Sequence, residues 1–175
     1  MSEIVLQIVK EYSTKIKDGH IFFAPDIPME KLGNVLKSYG KGVAEEDALL
    51  LIDNTAFGNA KDGLLMTPSR LYIHNQMENP QHIDIADIQS VSFAEGWIIS
   101  VIHVNDAKFF EVSIPEKHSL RSFTEMLREI AKRLHPNAGE KSPVQALKEL
   151  KTLYDNGLIT DTEYEEKRKQ YVDQL

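Results

Sequence analysis

The sequence has no cysteine, a single tryptophan and no long hydrophobic run. Without cysteine the chain cannot form disulfides, thiolate zinc sites or a cysteine nucleophile. The longest apolar stretches, 48–52 and 97–99, are far shorter than the roughly 20 residues of a membrane-spanning helix. The first residues include no basic segment before the apolar ones and no small-residue cleavage site. We therefore expect no signal peptide and a cytoplasmic location.

The net charge of −7 is concentrated in one part of the chain. Residues 43–114 hold three basic and eleven acidic side chains, whereas residues 1–42 and 115–141 are slightly basic. Nucleic acids and anionic lipids attract clusters of lysine and arginine, so we expect no nucleic-acid binding and at most peripheral membrane association. A basic face formed by the two flanking segments stays open as an alternative. It would group Lys10, Lys15, Lys17, Arg121, Lys132 and Arg133.

Helical periodicity flanks the acidic segment on both sides. Residues 3–17 predict an amphipathic helix, residues 20–24 a short strand, and residues 28–39 a second helix that begins at Pro28. Residues 120–134 predict a long amphipathic helix. It should end before Pro136, because the residue that precedes a proline disfavours helical geometry.

Between these helices the period changes to that of extended strands. Short connections, such as 68–69 and 105–107, favour an antiparallel meander and an α+β fold class. The seven predicted strands are 48–54, 63–67, 70–75, 82–85, 88–94, 97–104 and 108–113.

The string GLLMTPSRLYIHN at residues 63–75, together with seven strands followed by one helix, resembles bacterial pleckstrin-homology-like domains. The resemblance covers about residues 48–134. It implies a bent, partly open seven-stranded antiparallel sheet or barrel that the helix closes at one end.

The C-terminal segment carries two sets of helix start and stop signals. Ser142 and Gln145 form a capping box around Pro143, and Thr160 with Glu163 forms a second. Gly157 supplies the left-handed residue that ends the first helix. Two helices of about twelve residues with a short link predict an αα-hairpin.

The segment ALKELKTLYDNGLITDTEYEEKRKQYV resembles the short C-terminal domain family, SHOCT, although that family typically has phenylalanine where Tyr164 stands. The resemblance implies a bacterial protein whose terminal module mediates oligomerisation or partner contacts. The predicted organisation is a helix–strand–helix segment at 1–42, a pleckstrin-homology-like domain at 43–135, a linker at 136–141 and the hairpin at 142–175.

The sequence offers no catalytic or metal-binding motif. Residues 40–42, Gly-Lys-Gly, lack the spacing of a phosphate-binding P-loop, and the serines lack a nucleophile elbow. His74, His82 and His103 have no metal-ligand spacing. Asp84 and Asp87 bracket a turn that they are expected to cap. We expect no enzymatic activity, no cofactor and no metal.

Two further features bear on binding. The loop 54–62 has Lys61 as its sole cation, flanked by Asp53 and Asp62, so we expect no specific phosphoinositide binding. Trp97 stands next to Gly96 at the start of a predicted strand. This position favours an anchor in the core or at the barrel rim over an exposed recognition patch.

The leading interpretation is a non-enzymatic interaction or assembly protein. A hairpin of this size buries too little surface to be stable alone, so its apolar face must pack on its own domain, on a second copy or on another protein. A homo-oligomer is the expected state. The alternative is a module that binds a small ligand or a membrane surface, and an enzyme ranks below both. The predicted contact residues are Leu147, Leu150, Tyr154, Tyr164 and Tyr171.

Overall fold

A computed structural model describes residues 2–136 and 143–172. The chain divides into two compact units, Met1–His135 and Pro136–Leu175, called here the main unit and the hairpin unit. The described residues form an α+β structure with eight strands in two antiparallel sheets and five helices. Within the described part of the chain, no helix combines the length and apolar character needed to cross a bilayer.

The first sheet has the strand order β1-β2-β3-β4-β5. Helix α1 (Ser2–Ser13) precedes it, and helix α2 (Met29–Leu36) lies between its first two strands in sequence. The strands are β1 (Ile21–Phe23), β2 (Leu50–Asp53), β3 (Gly63–Met66), β4 (Arg70–His74) and β5 (Gln81–Asp84).

The second sheet has the order β6-β7-β8 and is followed by a long helix. Its strands are β6 (Val91–Ala94), β7 (Ser100–Val104) and β8 (Ala107–Val112), and the helix is α3 (Lys117–Leu134). The ladder between β7 and β8 shifts register at Ile102 and His103. The predicted C-terminal helix of this region is confirmed, and it ends before Pro136.

Two asparagine side chains connect the sheets at the ends of β2 and β4. The Asn54 amide donates to the carbonyl of Glu111 at 3.0 Å and accepts from the backbone N–H of Ser113 at 2.9 Å. The Asn75 amide donates to the carbonyl of Phe109 at 3.1 Å and accepts from the backbone N–H of Glu111 at 2.9 Å. At this junction the two sheets are therefore joined by side-chain amides and not by backbone hydrogen bonds between paired strands. Among the described residues the two sheets do not close into a barrel.

The first sheet is covered on both faces, which explains why β2 and β3 are buried throughout. Successive strand residues point to opposite faces. Leu50, Ile52 and Leu64 therefore join the larger core with α1, α3 and the second sheet, while Leu51 and Leu65 pack in a smaller cluster with α2. The α3 residues in the larger core are Leu120, Phe123, Met126, Leu127, Ile130 and Ala131.

The predicted single seven-stranded sheet is wrong in two respects. Strand β1 pairs with β2, with Ile21 opposite Ile52, so the segment before residue 43 adds an eighth strand. The strands then divide into sheets of five and three. The added strand follows from the apolar character of β2 on both faces. Such a strand is stable only as an internal strand with both faces covered.

Two predicted strands begin later than the pattern indicated. The strand predicted at 88–94 begins at Val91, because Ile85–Asp87 forms a 3-10 turn. The strand predicted at 97–104 begins at Ser100, and residues 95–99 form a loop instead.

Candidate interaction site

The hairpin unit consists of α4 (Pro143–Asp155) and α5 (Asp161–Val172). Gly157 ends α4 with a φ of 68°, a left-handed conformation that glycine adopts without steric cost. Its N–H donates to the carbonyl of Tyr154, and the N–H of Leu158 donates to the carbonyl of Leu153, both at 2.9 Å. These two bonds form a Schellman motif. The helix end predicted at Gly157 is confirmed.

The start of α5 is fixed by a reciprocal cap. The Glu163 carboxylate accepts from the N–H of Thr160 at 2.9 Å, and the Thr160 hydroxyl accepts from the N–H of Glu163 at 3.4 Å. The hydrogen bonds from Thr160 hold the pKa of Glu163 below its usual range. The capping box predicted at Thr160 and Glu163 is confirmed. The one predicted for Ser142 and Gln145, and residues 137–141 of the predicted linker, fall outside what the structure describes.

The five predicted contact residues differ in how deeply they are buried within the hairpin. Leu150 is 7% exposed. The rings of Tyr154 and Tyr164 stack with their centroids 4.5 Å apart, and Leu147 and Tyr171 are half-buried. A hydrogen bond to the Asp161 carboxylate raises the pKa of Tyr154. The two stacked tyrosines thus join α4 to α5, and both remain half-buried.

Among the described side chains of the hairpin, the most exposed apolar ones were not predicted contacts. Leu158 is 69% exposed, Val172 44% and Leu153 41%. The sequence signal for two of them is the Schellman motif, whose C3 and C″ residues, here Leu153 and Leu158, are commonly apolar and in contact with each other.

The charges of α5 are segregated along the helix. Its acidic residues lie at 161–166 and its basic residues at 167–169.

A buried ion pair in the main unit holds the loop 54–62. Asp53 is fully buried, and its carboxylate lies 2.5 Å from the Lys31 ammonium and accepts from the Thr55 hydroxyl at 2.5 Å. Burial raises the pKa of Asp53, but the hydrogen bonds from Lys31 and Thr55 outweigh it and lower the pKa overall. Lys31 also donates to the carbonyl of Gly58. The loop therefore has a second cation that sequence reasoning missed, and Asp53 neutralises it.

The three histidines considered as metal ligands contact different partners. His74 lies 2.7 Å from the Asp62 carboxylate and stacks on Tyr39, whereas His82 packs beside Tyr72. His103 lies on β7 and is half-buried. In the ranges 2–136 and 143–172, no group of three or more acidic and histidine side chains is placed to hold a metal ion. Asp84 pairs with Arg70 at 2.5 Å and makes no side-chain capping hydrogen bond to the turn Ile85–Asp87, so the cap predicted for Asp84 is wrong.

Trp97 is not in the core, and the prediction that it anchors the core or a barrel rim is wrong. Its side chain is 94% exposed, and the next two residues, Ile98 and Ile99, are 72% and 52% exposed. Because β7 begins only at Ser100, these three residues form the end of the loop between β6 and β7, beyond the paired strands.

Residues 145–171 match the family described as "Short C-terminal domain", SHOCT. The match covers the described helices α4 and α5 almost completely, so the chain carries a SHOCT domain. No curated protein and no solved structure matches the chain.

Proposed function

We propose that this chain is a non-enzymatic assembly protein, in which the main unit is a binding scaffold and the SHOCT hairpin joins two copies. The observation that carries the proposal is the small interior of the hairpin unit. Leu150 is the only one of its described side chains that is buried, while three apolar side chains stay largely exposed. An αα-hairpin with so little interior gains stability by covering its exposed apolar surface with a partner.

The charge pattern of α5 supports a second copy as that partner. The acidic first half and basic second half are complementary to each other when two α5 helices run antiparallel about a two-fold axis. In that arrangement Asp161 of each copy approaches Lys169 of the other. The same arrangement brings Leu158, at one end of the helix, towards Val172 of the second copy. The apolar residues at the two ends of α5 and the charged residues between them therefore favour the same antiparallel arrangement.

The strand order of the main unit supports a pleckstrin-homology-like scaffold. After residue 48 the chain forms seven strands, β2 to β8, and then α3, which packs its apolar face on the core. This is the order on which the resemblance rests, with β1 as an added edge strand. One fold can host many functions, and the functional residues of a domain lie disproportionately on its loops. We propose that binding, and not catalysis, is the role of the main unit.

The hairpin contact can be tested in the full chain by analytical ultracentrifugation. We expect the wild-type chain to self-associate, and Leu158→Asp to lower the average mass at the same protein concentration. Raising the salt concentration should also weaken the contact, because its central charges are exposed to solvent. Met29→Asp is the matched control, since Met29 is 62% exposed and lies in α2 of the main unit.

Three results would overturn the hairpin contact. One is a wild-type chain that stays monomeric at all concentrations. A second is an average mass that Leu158→Asp leaves unchanged. Equal effects of Leu158→Asp and Met29→Asp would show general aggregation through exposed apolar residues and would also contradict the proposal.

A further inference from the structure

Trp97, Ile98 and Ile99 form an exposed apolar projection on the main unit, called here the tip. Scattered apolar residues are common on protein surfaces, but three consecutive ones with an almost fully exposed tryptophan mark an interaction site. The described structure uses none of the three for its two apolar cores. The tip belongs to the main unit and not to the hairpin, so its role goes beyond the function proposed above.

The tip is held by a closely packed turn. A Cβ atom at Gly96 would lie 1.8 Å from the carbonyl oxygen of Ile99, so only glycine permits this approach of the two backbone segments. The N–H of Gly96 donates to the hydroxyl of Ser100, which is 2% exposed. The conformation that presents the tip is thus fixed before any partner binds. Such preorganisation lowers the entropic cost of binding.

A groove lies directly beside the tip, between the edge strand β6 and α3. It encloses about 250 Å³, slightly below the roughly 300–1,000 Å³ of typical small-molecule sites. Arg128 closes one part of the strand edge by donating to the carbonyl of Val91 at 2.7 Å. The lining residues are Phe93, Glu95, Arg121, Thr124, Glu125 and Arg128.

The chemistry of the groove suits an indole ring. Guanidinium groups stack on aromatic faces, and tryptophan is the strongest aromatic partner for a cation. Arg121 and Arg128 supply such groups, and Phe93 supplies an aromatic ring. The almost complete exposure of Trp97 shows that it does not fill the groove of its own chain.

We propose that Trp97 of one copy inserts into this groove of a second copy, and that the second copy returns the same contact. The tip and the groove adjoin at Glu95, which lines the groove and precedes the tip in sequence. A projection and a complementary groove on one surface are what a two-fold symmetric contact requires. The contact is small, so it belongs to the weak or transient class of interfaces.

Charge favours a protein over a lipid surface as the occupant. The tip belongs to the acidic segment 43–114, and the nearby cations Lys117 and Arg121 are both paired with Glu95. Stable attachment to a membrane generally needs an apolar element together with a free basic patch. The tip supplies the first of these, and its neighbouring cations Lys117 and Arg121 share the Glu95 carboxylate and so do not form a free basic patch.

Trp97 is the only tryptophan of the chain, so its fluorescence reports on the tip alone. We expect the emission of the full chain to shift to shorter wavelength, and acrylamide quenching to fall, as the protein concentration rises. Ile98→Asp keeps the fluorophore and should abolish both changes. Trp97→Ala should weaken the association measured by ultracentrifugation about tenfold or more, as expected for a tryptophan hot spot. Phe57→Asp, at a residue 94% exposed in another loop, is the matched control.

The tip and hairpin contacts can be separated by combining variants. If both exist, Leu158→Asp and Ile98→Asp each remove one contact, and the double variant is monomeric. If Leu158→Asp has no effect while Ile98→Asp still does, the hairpin proposal fails and the tip proposal stands. Emission of a water-exposed indole at every concentration would overturn the tip contact. So would a shift seen only with vesicles of phosphatidylglycerol and phosphatidylethanolamine, which would assign the tip to a membrane.

Discussion

The main unit and the hairpin unit are specified by different kinds of interaction. In the main unit, apolar side chains fill two clusters on opposite faces of the first sheet. In the hairpin unit, a Schellman motif, a capping box and one tyrosine stack define the conformation, and Leu150 is the only buried side chain described. Local hydrogen bonds select a conformation but contribute little net free energy, whereas burial supplies most of the stability. The comparison separates a unit that is held by a buried core from one whose conformation is set mainly by local hydrogen bonds.

The largest effect that tests this difference is expected from truncating the core of the main unit. Phe123 is fully buried in α3, so Phe123→Ala should lower the free energy of unfolding by about 3–5 kcal/mol. Leu150→Ala removes the buried side chain of the hairpin and should leave the unfolding transition of the main unit in place. Urea denaturation followed by circular dichroism measures both. A common shift for the two variants would mean that the units unfold together, contrary to the comparison.

A buried charge gives a second test within the main unit. Asp53→Asn leaves Lys31 without its carboxylate, and losing one partner of a buried pair costs about 3 kcal/mol. Asp84→Asn is the control, because Asp84 forms a pair with Arg70 in which both side chains are more than a third exposed. Exposed pairs contribute little, so this variant should unfold close to the wild type. Similar losses for both variants would show that burial does not set the strength of the Asp53 pair.

The same carboxylate predicts a pH dependence. The folded-state pKa of Asp53 lies below that of an unfolded aspartate, about 3.9. The contribution of Asp53 is therefore complete above that value and is lost as the pH falls through the folded-state pKa. In acid titrations of stability, the difference between wild type and Asp53→Asn should shrink below about pH 4. A difference that stays constant through this range would exclude an ionised Asp53 as the stabilising group.

The accuracy of prediction from the sequence also differs between the hairpin unit and the main unit. In the hairpin, the helix end at Gly157 and the cap at Thr160 were predicted correctly, because each depends on residues within one helical turn. In the main unit, the α+β class and most strand positions followed from periodicity, although β6 and β7 begin three residues later than predicted. The pairing of β1 with β2 did not, because it depends on which faces of β2 the rest of the chain covers.

The side chains that were wrongly placed or missed also depend on contacts with distant parts of the chain. Trp97 was assigned to the core because the alternation of the strand was extended backwards to it, but its exposure depends on where pairing with β6 stops. Lys31 was missed because its carboxylate partner lies 22 residues away. Asn54 and Asn75 look like ordinary turn residues in the sequence. Their role in joining the sheets depends on β8, more than 30 residues further along the chain.

The smallest effect is expected at the turn of the hairpin. Gly157→Ala places a side chain at a φ of 68°, where a residue with a Cβ atom costs about 1 kcal/mol more than glycine. The hairpin has little burial to offset that loss, so amide hydrogen exchange in α5 should accelerate while the main unit keeps its protection. Gly33→Ala is the control, because Gly33 lies in α2 with open space around it, and alanine there should be neutral or stabilising. If the hairpin joins two copies, Gly157→Ala should also weaken self-association, since the contact requires both helices in place. Faster exchange without weaker association would confirm the turn and contradict the hairpin contact.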